Sequence, residues 1–259
     1  MNIRRHDSEE LVRTYGVTFS QRELTPPCSA DWNLLVYAIR GVVTAKTELG
    51  TWVVPPHRAL WVPASIKTHL ELGGVTALRM IYMRSRLPEE TSEGRAFEPT
   101  TCAVFNVTPL LRELILKAIA IGALFSTEPQ HCRIEGLMWD ELESIPSVPL
   151  QLPYPQSEVA MSFVSRFETS ITESINLSEL ILESGWSLRT IERYFQAETG
   201  MSLGQWIRRR KLLEGLKMLV AGTKVGDVAF QLGYNSPSSF IAMFKRELGT
   251  SPAAYLSSN

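Results

Sequence analysis

From about residue 18 to residue 107 the apolar positions fall into short runs rich in β-branched and aromatic side chains: 34–39, 42–47, 51–54, 59–62, 68–72, 75–83 and 102–107. Turn formers stop them, at Arg40-Gly41, Leu49-Gly50, Pro55-Pro56, Pro63-Ala64 and Gly73-Gly74. That spacing predicts closely connected antiparallel strands in a small barrel or sandwich. After Pro109 the period changes. Leu110, Leu111, Leu114, Ile115, Ala118 and Ile119 recur at helical spacing, and Ile134, Leu137, Met138 and Leu142 repeat the pattern after a polar break at 126–130, so two helices follow the strands. The stretch 145–155 contains Pro146, Pro149, Pro153 and Pro155, each opposing helix in the residue before it, and predicts an extended linker. Beyond it the pattern is helical to the end. The fold class expected is α+β, with the strands over 1–108, two helices and the linker over 109–156, and an all-α domain over 157–259.

The helical domain contains an internal repeat. Leu177-Ser178-Glu179-Leu180-Ile181-Leu182-Glu183-Ser184-Gly185-Trp186-Ser187 is echoed by Val225-Gly226-Asp227-Val228-Ala229-Phe230-Gln231-Leu232-Gly233-Tyr234-Asn235, 48 positions later (225 − 177). One inserted residue makes the offset 49, and Ser187 then faces Ser236, Ile191 faces Phe240, Phe195 faces Phe244, Glu198 faces Glu247, Gly200 faces Gly249, Ser202 faces Ser251 and Trp206 faces Tyr255. Each unit is a short helix, a Gly-aromatic turn, a serine cap and a longer helix ending at glycine, the grammar of a helix-turn-helix. Gly185 and Gly233 suit the left-handed turn, Ser187 and Ser236 suit the caps, and Pro237 needs no N–H donor at a first helical position.

In the second helix of the first unit, Leu188, Ile191 and Phe195 are expected in the core. Arg189, Thr190, Glu192, Arg193 and Gln196 are left outside as candidate base readers, with Ser187 at the cap. Arginine carries most of that expectation, because its planar fork reads guanine or holds phosphate through two bonds. The second unit offers Ser236, Ser238, Ser239, Ala242 and Lys245 on the equivalent surface. Their short reach points to methyls, shape and phosphates rather than base edges. Between the units, 202–220 predicts one helix burying Leu203, Trp206, Ile207, Leu213, Leu216 and Val220. At about 28 Å it could hold two recognition helices roughly one DNA turn, ~34 Å, apart. Arg208-Arg209-Arg210-Lys211 on this helix is the densest basic cluster: Arg208 and Arg209 are expected at DNA, and Arg210, half-buried by periodicity, is expected to be structural.

Bulk charge adds little to this. Lys plus Arg number 26 against 27 Asp plus Glu, a net −1, and residues 157–259 hold 11 basic and 10 acidic residues, a net +1. Any polyanionic partner must be met by a local patch. Cys28, Cys102 and Cys132 are far apart and odd in number, which fits neither a disulfide scaffold nor a thiolate zinc site and suits a reducing compartment. The N-terminal residues lead into no apolar signal region, and the longest apolar stretch, 114–125, is interrupted by Lys117, so a cytoplasmic protein with no membrane partner is expected.

Gly185-Trp186-Ser187-Leu188-Arg189-Thr190-Ile191-Glu192-Arg193-Tyr194-Phe195, taken with Leu232-Gly233-Tyr234-Asn235-Ser236-Pro237-Ser238-Ser239-Phe240 and its continuation to Pro252, resembles the AraC/XylS family of bacterial transcription regulators. The stretch Gly50-Thr51-Trp52-Val53-Val54-Pro55-Pro56-His57-Arg58-Ala59-Leu60-Trp61 resembles the cupin sensor barrel of one branch of that family. The resemblance implies a cupin-like β-barrel, a helical dimerisation segment and a C-terminal domain with two helix-turn-helix motifs. It implies a one-component, non-enzymatic, homodimeric regulator of double-stranded DNA with RNA polymerase as a further partner, answering to a small organic effector or, as the alternative kept open by the departure at Cys28 to Asp31, a ligand-independent DNA binder whose barrel only dimerises. The family's recognition helices match Arg189, Thr190, Glu192 and Arg193 in the first motif and 237–242 in the second.

A cupin barrel can also be an enzyme, but metal-dependent members carry a His-x-His pair with further Glu and His ligands. Here the corresponding stretch, Thr25-Pro26-Pro27-Cys28-Ser29-Ala30-Asp31-Trp32, has no histidine, and His57 and His69 lack a third ligand. No catalytic residue, metal or cofactor is therefore assigned. Trp32, Tyr37, Trp61, His69 and Tyr82 are the candidate lining of an apolar effector pocket, unless they fill the barrel core themselves. A redox role for the cysteines would need an exposed thiol of low pKa.

Overall fold

The computed structural model describes residues 9–19, 23–48, 50–85, 101–171 and 177–257. The chain divides into two compact units, 1–48 with 52–150, and 49–51 with 151–259.

The strands and helices up to residue 150 are β1 (Glu10–Phe19), β2 (Glu23–Leu24), β3 (Trp32–Thr47), β4 (Gly50–Val54), β5 (Arg58–Val62), β6 (His69–Arg84), β7 (Ala103–Asn106), α1 (Pro109–Ile121), β8 (Ala123–Phe125), α2 (Pro129–Ser144) and β9 (Ser147–Val148). The sheet runs β8-β1-β6-β3-β5-β7-β9, antiparallel throughout, with β2 added to β6 and β4 to β3. Two expected turns do not end strands. Arg40-Gly41 and Gly73-Gly74 lie inside β3 and β6, where the register shifts between Ala38/Arg40 and Arg40/Val42, so four expected short strands are two long bent ones. Gly41 has φ 79°, and a Cβ there would stand 2.6 Å from Thr76 Oγ1, so only glycine fits the bend.

β1 was not among the runs expected. Its pattern is obscured because Arg13 takes an inward-alternating position, where Glu10 neutralises it at 2.6 Å and its guanidinium lies 4.4 Å from the Trp32 ring centroid. One sheet face, with Leu35, Tyr37, Trp61, Ile81 and Met83, packs under Leu111, Ile115, Met138 and Trp139 of the two helices. Trp61 and Trp139 meet edge-on at 5.2 Å.

The second unit contains β10 (Gln151–Pro153) and helices α3 (Glu158–Ser170), α4 (Leu177–Glu183), α5 (Leu188–Thr199), α6 (Leu203–Val220), α7 (Val225–Gln231), α8 (Pro237–Leu248) and α9 (Pro252–Ser257). α6 is its spine. On one side Phe163, Phe167 and Phe195 gather around Trp206 at centroid separations of 5.4–5.9 Å, and on the other Phe244 meets Phe240 at a tilt and Tyr255 edge-on. Each such pair is worth about 0.5–1.5 kcal/mol beyond its buried area. The expected buried face of α6 is corrected in part: Leu212, Gly215 and Leu219 are buried, whereas Ile207 and Val220 are only half-buried. The segment expected as an extended linker carries β9 and β10, and the Trp206 indole N–H donates to the Pro153 carbonyl at 2.8 Å.

At Gly215 α6 passes close against the second motif. A Cβ there would lie 2.9 Å from two ring carbons of the fully buried Phe240 and 3.1 Å from Leu232 Cδ1. Gly215→Ala should therefore destabilise by about 1–3 kcal/mol despite alanine's better helix propensity, read as a lower urea midpoint. A gain in stability would show that Phe240 has room to move.

Candidate nucleic-acid interface

Both motifs begin their second helix with the same device. Ser187 Oγ accepts the Thr190 N–H at 3.2 Å and meets Thr190 Oγ1 at 2.8 Å; Ser236 Oγ accepts the Ser239 N–H at 3.2 Å and meets Ser239 Oγ at 3.0 Å. The preceding turns pass through Gly185 at φ 78° and Gly233 at φ 73°, and both helices end at left-handed glycines, Gly200 and Gly249. Four of the candidate residues thus form caps that fix where each helix starts.

Ile191 and Phe195 anchor α5 with no exposed surface. Arg189, Glu192, Arg193 and Gln196 are all exposed and Thr190 is half-buried, which brings the first-motif candidates onto one outer face. Among the described residues Glu192 forms no ion pair with Arg189 or Arg193, and the Arg193 guanidinium rests 5.2 Å from the Tyr194 ring. Leu188 departs from expectation. It is 43% exposed rather than core, and Trp186, two residues earlier, is 44% exposed. The i, i+3, i+7 series of 188, 191 and 195 is correct for a helix interior, but at the first helical position no preceding turn covers the side chain.

On α8, Ser238, Ser239, Ala242 and Lys245 are exposed and Ser236 is half-buried, above a core of Phe240, Met243 and Phe244. The basic run on α6 is divided by its surroundings. Arg208 is exposed; Arg209 is 19% exposed and reaches Glu247 at 3.4 Å; Arg210 is 12% exposed and held by Glu168 at 2.5 and 2.6 Å and by Glu214 at 2.9 Å. Burial lowers Arg210's pKa, but the two carboxylates outweigh it and hold the charge firmly on. Lys211 stands 5.3 Å from the Tyr234 ring, its pKa lowered by burial, while burial pushes the Tyr234 hydroxyl up to about 12 against the opposing pull of Arg246 and Arg208.

The candidate pocket residues of the first unit are not brought to one place. Tyr37 and Trp61 belong to the core beneath α1 and α2. Trp32 and Tyr82 alternate to the opposite sheet face, as the pairing of Leu34 with Tyr82 requires, and there Tyr82 meets Tyr15 edge-on at 5.7 Å. The Tyr82 hydroxyl is buried without a hydrogen-bond partner among the described residues. His69 is 39% exposed at the β2 edge, hydrogen-bonded through Nδ1 to Thr25 and 3.7 Å from Glu23. His57 sits in the turn before β5 at φ 60°, its pKa lowered by burial and by Arg58 and Arg112. Cys102 is buried and its thiol pushed up to about 12, so it is no thiolate at neutral pH.

A family described as "Helix-turn-helix domain" matches residues 182–258. The HTH-type transcriptional regulator NimR of Escherichia coli (strain K12) is 31% identical over 222 residues, covering 86% of this chain and 78% of its own. The HTH-type transcriptional activator AarP of Providencia stuartii is 33% identical over 101 residues, 39% of this chain and 75% of its own. Among solved structures, the DNA-binding domain of AdpA in complex with a target DNA is 29% identical over 39% of this chain and 93% of its own, with a TM-score of 0.37. Two capped helix-turn-helix motifs on one connecting helix, with the helix-turn-helix family over residues 182–258 and NimR as a relative along most of the chain, define a DNA-binding transcription regulator. The chain belongs to the AraC family of such regulators, with a mixed fold of an N-terminal antiparallel sheet and a C-terminal helical region. No helix among the described residues is long and apolar enough to cross a membrane.

Proposed function

We propose that this is a one-component, cytoplasmic regulator in which α5 reads base edges, α8 follows methyls, shape and phosphates, and the sheet-bearing unit senses and dimerises. The observation that carries the reading is the exposed face of α5, where two arginines without carboxylate partners among the described residues stand on a fully buried Ile191–Phe195 anchor. Arg208 and Lys245 supply further exposed positive charge, whereas Arg209, already paired with Glu247, contributes less to DNA than Arg208. The effector is a small organic molecule on the sheet face that carries Trp32 and Tyr82; Tyr37 and Trp61 serve the core instead. Helices α1 and α2 carry exposed Leu110 and Leu137, 50% and 45% exposed, consistent with a contact between two copies. RNA polymerase is the partner through which such a regulator acts on transcription.

One comparison tests the arrangement. A fragment beginning at Gln151, which keeps the Pro153 carbonyl for Trp206, should fold and footprint the same DNA as the full chain but bind it at least tenfold more weakly, because a dimer raises effective concentration. Sedimentation that finds the full chain monomeric both free and on DNA refutes dimerisation. A panel of small organic compounds that never shifts the full chain's Tm leaves the sheet unit without an effector.

A further inference from the structure

The residue that opens the first recognition helix is a leucine held out of the core. Leu188 is 43% exposed between the Ser187 cap and Arg189. Single exposed leucines are ordinary, so exposure by itself assigns nothing. Position does more. Residues 188, 192 and 196 form one i, i+4 ridge alongside 189 and 193, and all five are exposed. Leu188 is therefore the apolar end of an otherwise polar face, in the first turn of the helix, where a recognition helix makes its base contacts.

The major groove offers one apolar feature, the C5 methyl of thymine. A leucine pressed on any other base edge would strip water from donors and acceptors and return no hydrogen bond, which is unfavourable. We propose that Leu188 is a specificity determinant that packs on a thymine methyl beside the base pair met by Arg189, and so imposes a preference for thymine there. The inference rests on α5 being the base-reading helix. In the second motif Pro237 takes the equivalent place and is half-buried, so the preference belongs to the first motif's half of the site.

The test changes the DNA by one methyl and leaves the protein intact. A preferred site is selected from random duplexes with the full chain, each thymine in it is replaced in turn by deoxyuridine, and Kd is measured for wild type and Leu188→Ala. Losing one buried methyl is expected to cost wild type about fourfold at a single thymine. Leu188→Ala should bind the thymine and deoxyuridine versions of that position alike. Indifference of wild type to every replacement, or an undiminished response in Leu188→Ala, overturns the proposal. Arg189→Ala on the same duplexes separates the two readings: if α5 does not read bases, neither variant changes the selected site, whereas failure of the methyl contact alone leaves only Arg189→Ala weakened.

Discussion

Arg210→Met will lower the unfolding free energy by about 3 kcal/mol, the largest loss expected from any single change in the basic run of α6. The arginine is 12% exposed, and its guanidinium joins Glu168 of α3 to Glu214 of its own helix. Methionine keeps the packing of the stem but strands Glu168, which is 29% exposed and so cannot recover its hydration fully. Glu214 keeps Lys217 at 3.7 Å and suffers less. Adding Glu168→Gln to Arg210→Met should accordingly restore about 1 kcal/mol, a coupling that urea denaturation of the four proteins in the cycle measures. If Arg210→Met instead leaves stability unchanged and weakens DNA binding, the residue is a DNA contact and its structural assignment is wrong.

The same network fixes the sign of an acid response. Burial raises the Glu214 pKa, but Lys217 and Arg210 together pull it below its ordinary 4.5. Glu198 behaves likewise: burial raises it, and the N–H groups of Ser157 and Gln156 with the Ser157 hydroxyl lower it further than that. A folded pKa below the unfolded one contributes stability that is present above the unfolded value and lost as pH falls through the folded value. Urea midpoints of the wild type should therefore fall below about pH 4.5, and Arg210→Met should show the shallower decline.

What the residues disclosed about the fold followed from how strongly each local signal was tied to one conformation. The helix-turn-helix pair was legible because glycine, serine cap and anchor recur in one register, and Gly185, Ser187, Ile191 and Phe195 take the positions expected of them. The strand boundaries were not, because Gly41 and Gly73 bend strands that continue, and a bend and a turn use the same residue. β1 stayed hidden since its inward arginine is neutralised by Glu10 and rests over the Trp32 ring, partners that no periodicity announces. In the interface the sequence identified the outer face of α5 yet assigned Leu188 to the core, because periodicity does not register where a helix begins. The paired state of Arg209 was equally out of reach, since Glu247 lies 38 positions away (247 − 209) on another helix.

Arg189→Ala and Arg193→Ala will each weaken binding to the preferred duplex by about 1–3 kcal/mol, and the way each does so will say what the arginine touches. Both sit on α5 without a carboxylate partner among the described residues, so truncation leaves no stranded charge in the protein and the measured loss belongs to the DNA contact. Their exposure predicts unchanged folding stability, within about 0.5 kcal/mol. A base reader loses discrimination: the variant should tolerate substitution at one or two base pairs that wild type rejects, while the dependence of log Kd on log salt stays as it was. A phosphate contact loses affinity evenly on all sequences and reduces the salt slope by about 1. Arg189, nearer the helix start, is expected to behave in the first way. Arg193, one turn further along and resting against the Tyr194 ring, is expected to combine the two. Affinity and salt slope measured on the selected duplex and on its single-base variants decide each case. A folded Arg189→Ala/Arg193→Ala double variant that binds as tightly and as selectively as wild type would remove α5 from the interface and leave α8 with Arg208 to account for sequence recognition.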